Sequence, residues 1–251
     1  LACLHRGYRA DAALIPEPFD HSILEAQVGV LWITVEVLGR PAHVLDVKRG
    51  INAIEAAFAL YRGLESLRDE WNAPGCSHRH PAFAHHDRPI NFNLGRIEGG
   101  EWTSSVPTRC TMEIRCGFHA GMSAADAKAA VEARIHLTAA ADEHLHNVDV
   151  RIRYAGFQAE GCVIDRGEPL MQLLAESHER VLGTPAAWLA STATTDARVF
   201  NLYGATPATC YGPEANDIHG IDESVSLEST RKVTRVLALF MARWCGVERL
   251  R

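Results

Sequence analysis

Residues 28–38 read VGVLWITVEVL, residues 39–50 GRPAHVLDVKRG and residues 51–67 INAIEAAFALYRGLESL, and the change of period along this stretch decides the fold. The first part is rich in β-branched and aromatic residues, the composition of a strand. Gly39 ends it, and the segment after it, with Pro41 and Gly50, reads as a loop. In the third part Ile51, Ile54, Phe58, Tyr61 and Leu64 recur at helical spacing. Downstream, residues 72–89 are rich in Pro and His and read as an exposed, flexible loop. Ile90–Ile97 alternates as a strand, EGGEW turns, and Val106–Phe118 is a further strand. Ser123 and Asp126 have the spacing of a capping box ahead of the helical run SAADAKAAVEARIHLTAAA. Val148–Tyr154, VDVRIRY, alternates again. Strand, helix, strand, strand, helix, strand is the order of a split βαβ, ferredoxin-like module. It predicts a four-stranded antiparallel sheet with two helices on one face.

The flanks read differently. Ala12–Ile15 is a short apolar strand that ends in Pro16, Glu17 and Pro18. Glu168–Leu182 is helical, Ala208–Tyr211 is a strand, and Ser229–Trp244 is an amphipathic helix. Alternating strands and helices mark an α/β domain. The expected organisation is therefore an α/β domain over 1–27 and 158–251, interrupted by an α+β lid over 28–157.

A chain of 251 residues with 47% apolar and 22% charged residues can bury a sizeable core, as ordinary globular proteins do. Its net charge of −6 argues against a nucleic-acid or anionic-membrane partner, and its apolar runs are too short and too interrupted to span a bilayer. The first residues, LACLHRGYRADAALIPEP, have no signal-peptide layout and no initiator Met, and read as the interior of a longer chain. Cys3, Cys76, Cys110, Cys116, Cys162, Cys210 and Cys245 are scattered, with no CxxC pair. That pattern predicts reduced thiols in a cytoplasmic protein, most of them small core residues.

Four segments carry a resemblance. GYRADAALIPEP (7–18), GRPAHVLDVKRGINAIE (39–55), NLGRIEGG (93–100) with VPTRCTMEIR (106–115), and YGPEANDIHGIDESV (211–225) occur in the order found in one family. They resemble the binuclear zinc amidohydrolases and peptidases that include acetylornithine deacetylase, succinyl-diaminopimelate desuccinylase, aminoacylase and glutamate carboxypeptidase. The resemblance covers essentially the whole chain. It implies the C-terminal part of a zinc-peptidase-like α/β catalytic domain, interrupted by a ferredoxin-like lid through which two copies form a homodimer.

The resemblance also implies roles for single residues. Glu17, in the strand-end EP motif, is a zinc ligand, and a carboxylate oxygen suits Zn²⁺ in company with imidazole; its plain reading is a solvated loop acid. His219 is the last metal ligand in sequence, where the plain reading is a surface histidine. Glu223 orients that loop or stays solvated. His43, in GRPAH, binds no metal. It reaches from the lid into the partner subunit's site to stabilise the oxyanion, and so is expected far from Glu17 and His219 of its own chain. Arg198, and more weakly Arg115, grip a substrate carboxylate with paired hydrogen bonds; an Asp196–Arg198 surface pair fits Arg198 equally. The backbone of Gly212 and Pro213 lines the pocket. Two departures stand out: Glu214 where the family continues with Gly, and Ser104 and Ser105 where many relatives have an Asn. The histidines of the 76–86 loop follow no ligand spacing.

By the same resemblance an HxD ligand pair, a bridging Asp and a Glu–Glu pair precede the strand-end glutamate, and only sixteen residues precede Glu17 here. Two ligands hold metal weakly, so the chain as it stands is expected to be incomplete and inactive alone. The implied function is zinc-dependent hydrolysis of the amide bond of an N-acyl amino acid. Two Zn²⁺ ions complete the site, with Co²⁺ or Mn²⁺ able to substitute. The alternatives are a non-catalytic binding or dimerisation module, or one half of a split enzyme; stoichiometric zinc separates the enzyme from the module.

Overall fold

The structure is a computed structural model that describes residues 1–146 and 148–248. In chain order its strands are β1 (Ala13–Ile15), β2 (Ile23–Gln27), β3 (Gly29–Leu38), β4 (Phe92–Gly99), β5 (Arg109–Phe118), β6 (Asp149–Arg153), β7 (Gln158–Ala159), β8 (Cys162–Val163), β9 (Trp188–Ser191), β10 (Ala208–Cys210), β11 (Ala215–Asn216) and β12 (Ser224–Val225). Its helices are α1 (Ala2–His5), α2 (Ala53–Asn72), α3 (Ala124–Ala141), α4 (Pro169–Leu182), α5 (Ala197–Val199) and α6 (Leu227–Cys245). The chain divides into two compact units, Val28–Gly161 and Leu1–Gln27 with Cys162–Arg251.

In the Val28–Gly161 unit an antiparallel sheet runs β4-β5-β3-β6. β3 and β5 pair from Gly29 opposite Phe118 to Leu38 opposite Arg109. Side chains alternate across a pleat, so Leu31, Ile33, Val35 and Val37 share one face with Cys110, Met112, Ile114 and Cys116, and all eight are buried. α2 and α3 cover that face with Leu60, Leu64, Val131 and Ile135. The two helices approach closely at Gly63, where a Cβ would stand 2.0 Å from Thr138 Oγ1.

Local chemistry sets the element ends. α2 begins at Ala53, two residues after the expected Ile51, because Ile51 pairs with Arg40 and the Asn52 side chain accepts hydrogen bonds from the Ile54 and Glu55 amides. β5 begins at Arg109 instead of Val106. The Val106 amide donates to the Ala42 carbonyl and the Pro107 carbonyl accepts from Ala53, which diverts both residues from the β3 ladder. Ser123 caps α3 by accepting from the Asp126 amide, and its hydroxyl donates to the Asp126 carboxylate. The unit continues past residue 157 because β7 pairs with Val30 and Leu31 of β3. The flexible-loop reading of residues 72–89 needs correction. Phe83 is fully buried within a short 3-10 turn, and the Arg79 guanidinium donates to the carbonyls of Asn72, Phe83 and His86.

The other unit holds β1 parallel to β10, β2 between antiparallel β8 and parallel β9, and a β11-β12 hairpin. α4 packs on α6, and Ile23, Leu170, Met171, Leu174, Tyr211, Val233, Val236 and Phe240 form a buried core. Gly183, with φ 79°, ends α4 in the left-handed conformation that favours glycine. Glu25, buried on β2, is held by two hydrogen bonds from Arg166, at 2.5 and 2.8 Å. α6 starts two residues before the expected Ser229, because the Ser226 side chain caps it. All seven cysteines are unpaired, with Cys110, Cys116, Cys162 and Cys210 buried. Among the described residues no helix is long and apolar enough to cross a membrane.

Candidate functional site

β1 and β10 pair up to Ile15 opposite Cys210, and both chains leave the sheet at that end. The Tyr211 amide donates to the Ile15 carbonyl, 3.0 Å, which continues the register past the strands. Gly212 then meets the backbone of Glu17: a Cβ on Gly212 would lie 2.0 Å from the Glu17 carbonyl oxygen. A residue with any side chain cannot occupy that place without moving Glu17. Glu17 itself is half-buried. Burial pushes the Cys210 thiol up to about 12, and the nearby Glu17 carboxylate adds to the rise. The acid therefore sits beside the strand ends, close to a thiol that stays protonated at neutral pH.

After Glu17 the chain turns through Asp20 and His21, both left-handed, with φ 53° and 60°. Backbone hydrogen bonds fix the turn to the opposite strand exit, from Asp20 to the Pro213 carbonyl at 3.2 Å and from His21 to the Gly212 carbonyl at 2.9 Å. His21 Nε2 hydrogen-bonds Ser229 Oγ at 2.8 Å, and that oxygen also accepts from the Glu214 amide at 2.8 Å. His21 Nδ1 faces Glu214 Oε1 at 3.7 Å. Asp20, His21 and Glu214 each offer a ligand atom within 4.8 Å of the others. Among the described residues this is the one such group of three, and it includes neither Glu17 nor His219.

His219 is exposed in the connection between β11 and β12, with φ 65°; Glu223 is exposed in the same connection. Arg198 lies in the single turn α5 and is 9% exposed. Its charge lowers the Cys162 thiol, against the larger rise from burial. Glu17, Gly212, His219 and Arg198 thus all belong to the split unit, and the structure packs Glu17 directly against Gly212.

His43 and Arg115 belong to the inserted unit. His43 follows the segment that pairs Arg40 with Ile51, and its own backbone bridges to Ser105. The His43 ring is exposed, and its Nδ1 accepts from the Leu45 amide at 3.2 Å. In the neutral ring the proton is then on Nε2, which leaves that nitrogen as the ring's donor. A surface hollow beside it is lined by Arg40, Pro41, Ala42, His43, Asp46 and Arg49, with Arg49 facing Asp46 at 3.8 Å. Arg115 lies on the sheet face opposite the helices, in register with Trp32 and Asn93, and burial lowers its pKa.

Sequence reasoning did not single out Asp20, His21, Arg40 or Arg49. Glu214 was visible only as a departure from the family's glycine, and its carboxylate is what completes the Asp20–His21 group.

Residues 26–143 match the M20 peptidase dimerisation domain. Over 98% of its length the chain is 25% identical to N-formyl-4-amino-5-aminomethyl-2-methylpyrimidine deformylase of Bacillus subtilis, and it spans 61% of that protein. Over 42% of its length it is 32% identical to acetylornithine deacetylase of Salmonella arizonae, and that match spans 26% of the deacetylase. Solved structures share the fold. Aminopeptidase PepT from Bacillus cereus superposes with a TM-score of 0.71 at 16% identity, covering 96% of this chain and 59% of that one. A tripeptidase from Staphylococcus aureus gives 0.69 at 18% identity, covering 93% and 57%. The fold, the order of the motifs and these likenesses agree: residues 26–143 match the M20 peptidase dimerisation domain, and the chain as a whole is similar to amidohydrolases and peptidases that share its fold.

Proposed function

We propose that the protein hydrolyses the amide bond of an N-acyl amino acid, as a homodimer through its inserted unit, with a zinc centre to which Glu17 and His219 contribute. The observation that carries this reading is the seating of Glu17 against Gly212 at the paired ends of β1 and β10. Two named relatives, a deformylase and a deacetylase, support the acyl–nitrogen bond as the target.

The donors suit zinc in kind, a carboxylate oxygen and an imidazole nitrogen. In number they are insufficient. Among the described residues neither joins a group of three, so the remaining ligands are those the family resemblance places ahead of the strand-end glutamate. A metal bound there supplies carbonyl polarisation and acidified water.

The chain's own residues supply the rest. His43 of a second copy donates its Nε2–H to the developing oxyanion, a task for which the Leu45 amide has already fixed the tautomer. Arg198, buried and charged, holds the substrate carboxylate; Arg115 is the weaker candidate for that task. The Gly212–Pro213 backbone lines the pocket. Seven unpaired cysteines support a reducing, cytoplasmic setting. A non-catalytic dimerisation module is the second reading, favoured by the two-residue ligand set alone.

The test is amine release from a panel of N-formyl, N-acetyl and N-succinyl amino acids, together with an N-formylated aromatic amine, by the zinc-loaded full-length protein that carries the complete ligand set. Turnover of at least one member is expected. No release from any of them by a zinc-bearing dimer selects the module.

A further inference from the structure

We propose that Asp20, His21 and Glu214 form a divalent-cation site that ties the turn after Glu17 to the segment that leaves β10. One imidazole and two carboxylates make a mixed nitrogen–oxygen donor set, the kind that takes Zn²⁺ and, more weakly, Mn²⁺. The ligand atoms lie within 4.8 Å of one another. The 3.7 Å between His21 Nδ1 and Glu214 Oε1 is longer than a hydrogen bond, whose upper range is about 3.2 Å. It lies close to the roughly 3.4 Å that separates two ligands of one tetrahedral zinc with bonds of about 2.1 Å.

The ring is oriented for this use. Its other nitrogen is anchored on Ser229 Oγ at 2.8 Å, and Ser229 is 1% exposed. A ligating histidine whose second nitrogen is fixed by a buried hydrogen-bond partner is the usual support of a metal site. The His21 and Glu214 side chains are 14% and 49% exposed, so an ion from solvent reaches them and the carboxylate has room to close on it. A bound dication balances the two carboxylates. It also cross-links two segments that backbone hydrogen bonds already bring together, the 17–22 turn and residues 212–214, while Ser229 of α6 supports the ring from behind. None of the three ligands is Glu17 or His219, so the site stands or falls independently of the hydrolytic reading.

Equilibrium dialysis of the chelator-stripped protein against Zn²⁺ alone, with zinc per chain measured, tests it. Glu214→Gln, Asp20→Asn and His21→Ala should each lose one zinc equivalent relative to wild type, or bind it at least about tenfold more weakly. Glu17→Gln should keep that equivalent. Thermal unfolding should rise with zinc in wild type, and rise less in Glu214→Gln. Wild-type stoichiometry and affinity in both Glu214→Gln and Asp20→Asn would overturn the site. These two surface carboxylate changes decide the outcome if His21→Ala does not fold.

Discussion

Gly212 packs against Glu17 so closely that a Cβ added to it would stand 2.0 Å from the Glu17 carbonyl oxygen and 2.6 Å from the carbonyl carbon. The atoms met are backbone, which cannot swing aside as a side chain can. Gly212→Ala is therefore predicted to push the Glu17 turn off the strand end and to cost about 1–3 kcal/mol of stability, as overpacking does. Denaturant midpoints of wild type and variant measure this, and unchanged midpoints would show that the contact is looser than described.

His119 predicts a pH dependence. It is fully buried, with Nε2 hydrogen-bonded to the Trp71 carbonyl at 2.8 Å. Burial lowers its pKa, His78 and Arg79 lower it further, and the Trp71 hydrogen bond opposes them. The fold thus prefers the neutral ring. Above the ordinary value of about 6.5 both folded and unfolded chains are neutral and the stability is fully present. As pH falls below that value the unfolded chain takes up the proton first, and stability drops until the folded pKa is reached. His119→Gln keeps a donor for Trp71 but removes the titration. Melting temperatures at pH 7.5 and 5.5 should fall further for wild type than for the variant. His178, whose pKa burial also lowers, is present in both proteins and drops out of the comparison.

His43 predicts complementation. Loss of an oxyanion donor typically costs about a hundred- to a thousand-fold in turnover, whereas an ordinary turn histidine changed to Ala costs almost nothing. In the full-length protein His43→Ala and His219→Ala should each be inactive alone. Mixed, they should form heterodimers that regain one working site and partial activity. Absence of recovered activity in proven heterodimers refutes a role for His43 across the dimer.

Much of the inserted unit was legible because its periods are strong. The alternation of β3 and the helical spacing from Ile54 to Leu64 survive in the structure with their ends shifted by caps and bridges. β2 was not legible. Ile23–Gln27 is buried at every position, yet it carries the polar Glu25 and Gln27, and only Val28 separates it from β3, so nothing local marks it as a strand of a different sheet. β9 is four residues long, too short to show a period. Phe83 sits among Pro and His residues that read as solvent-exposed, and only the fold reveals its burial. At the candidate site Glu17 and Gly212 were visible through their motifs. Asp20 and His21 were not, because a left-handed turn of non-glycine residues and a contact with the distant Glu214 leave no local pattern.

The central claim is that Glu17 and His219 hold the metal of an amide hydrolase. The measurement that tests it most directly is the hydrolysis rate of the full-length protein, as wild type, Glu17→Gln and His219→Ala, after chelation and again after zinc is returned. Wild type should lose its activity and recover it with zinc, while both variants stay lower by about a hundredfold or more with zinc present. A variant that regains the wild-type rate, or a wild type indifferent to chelation, would contradict the claim.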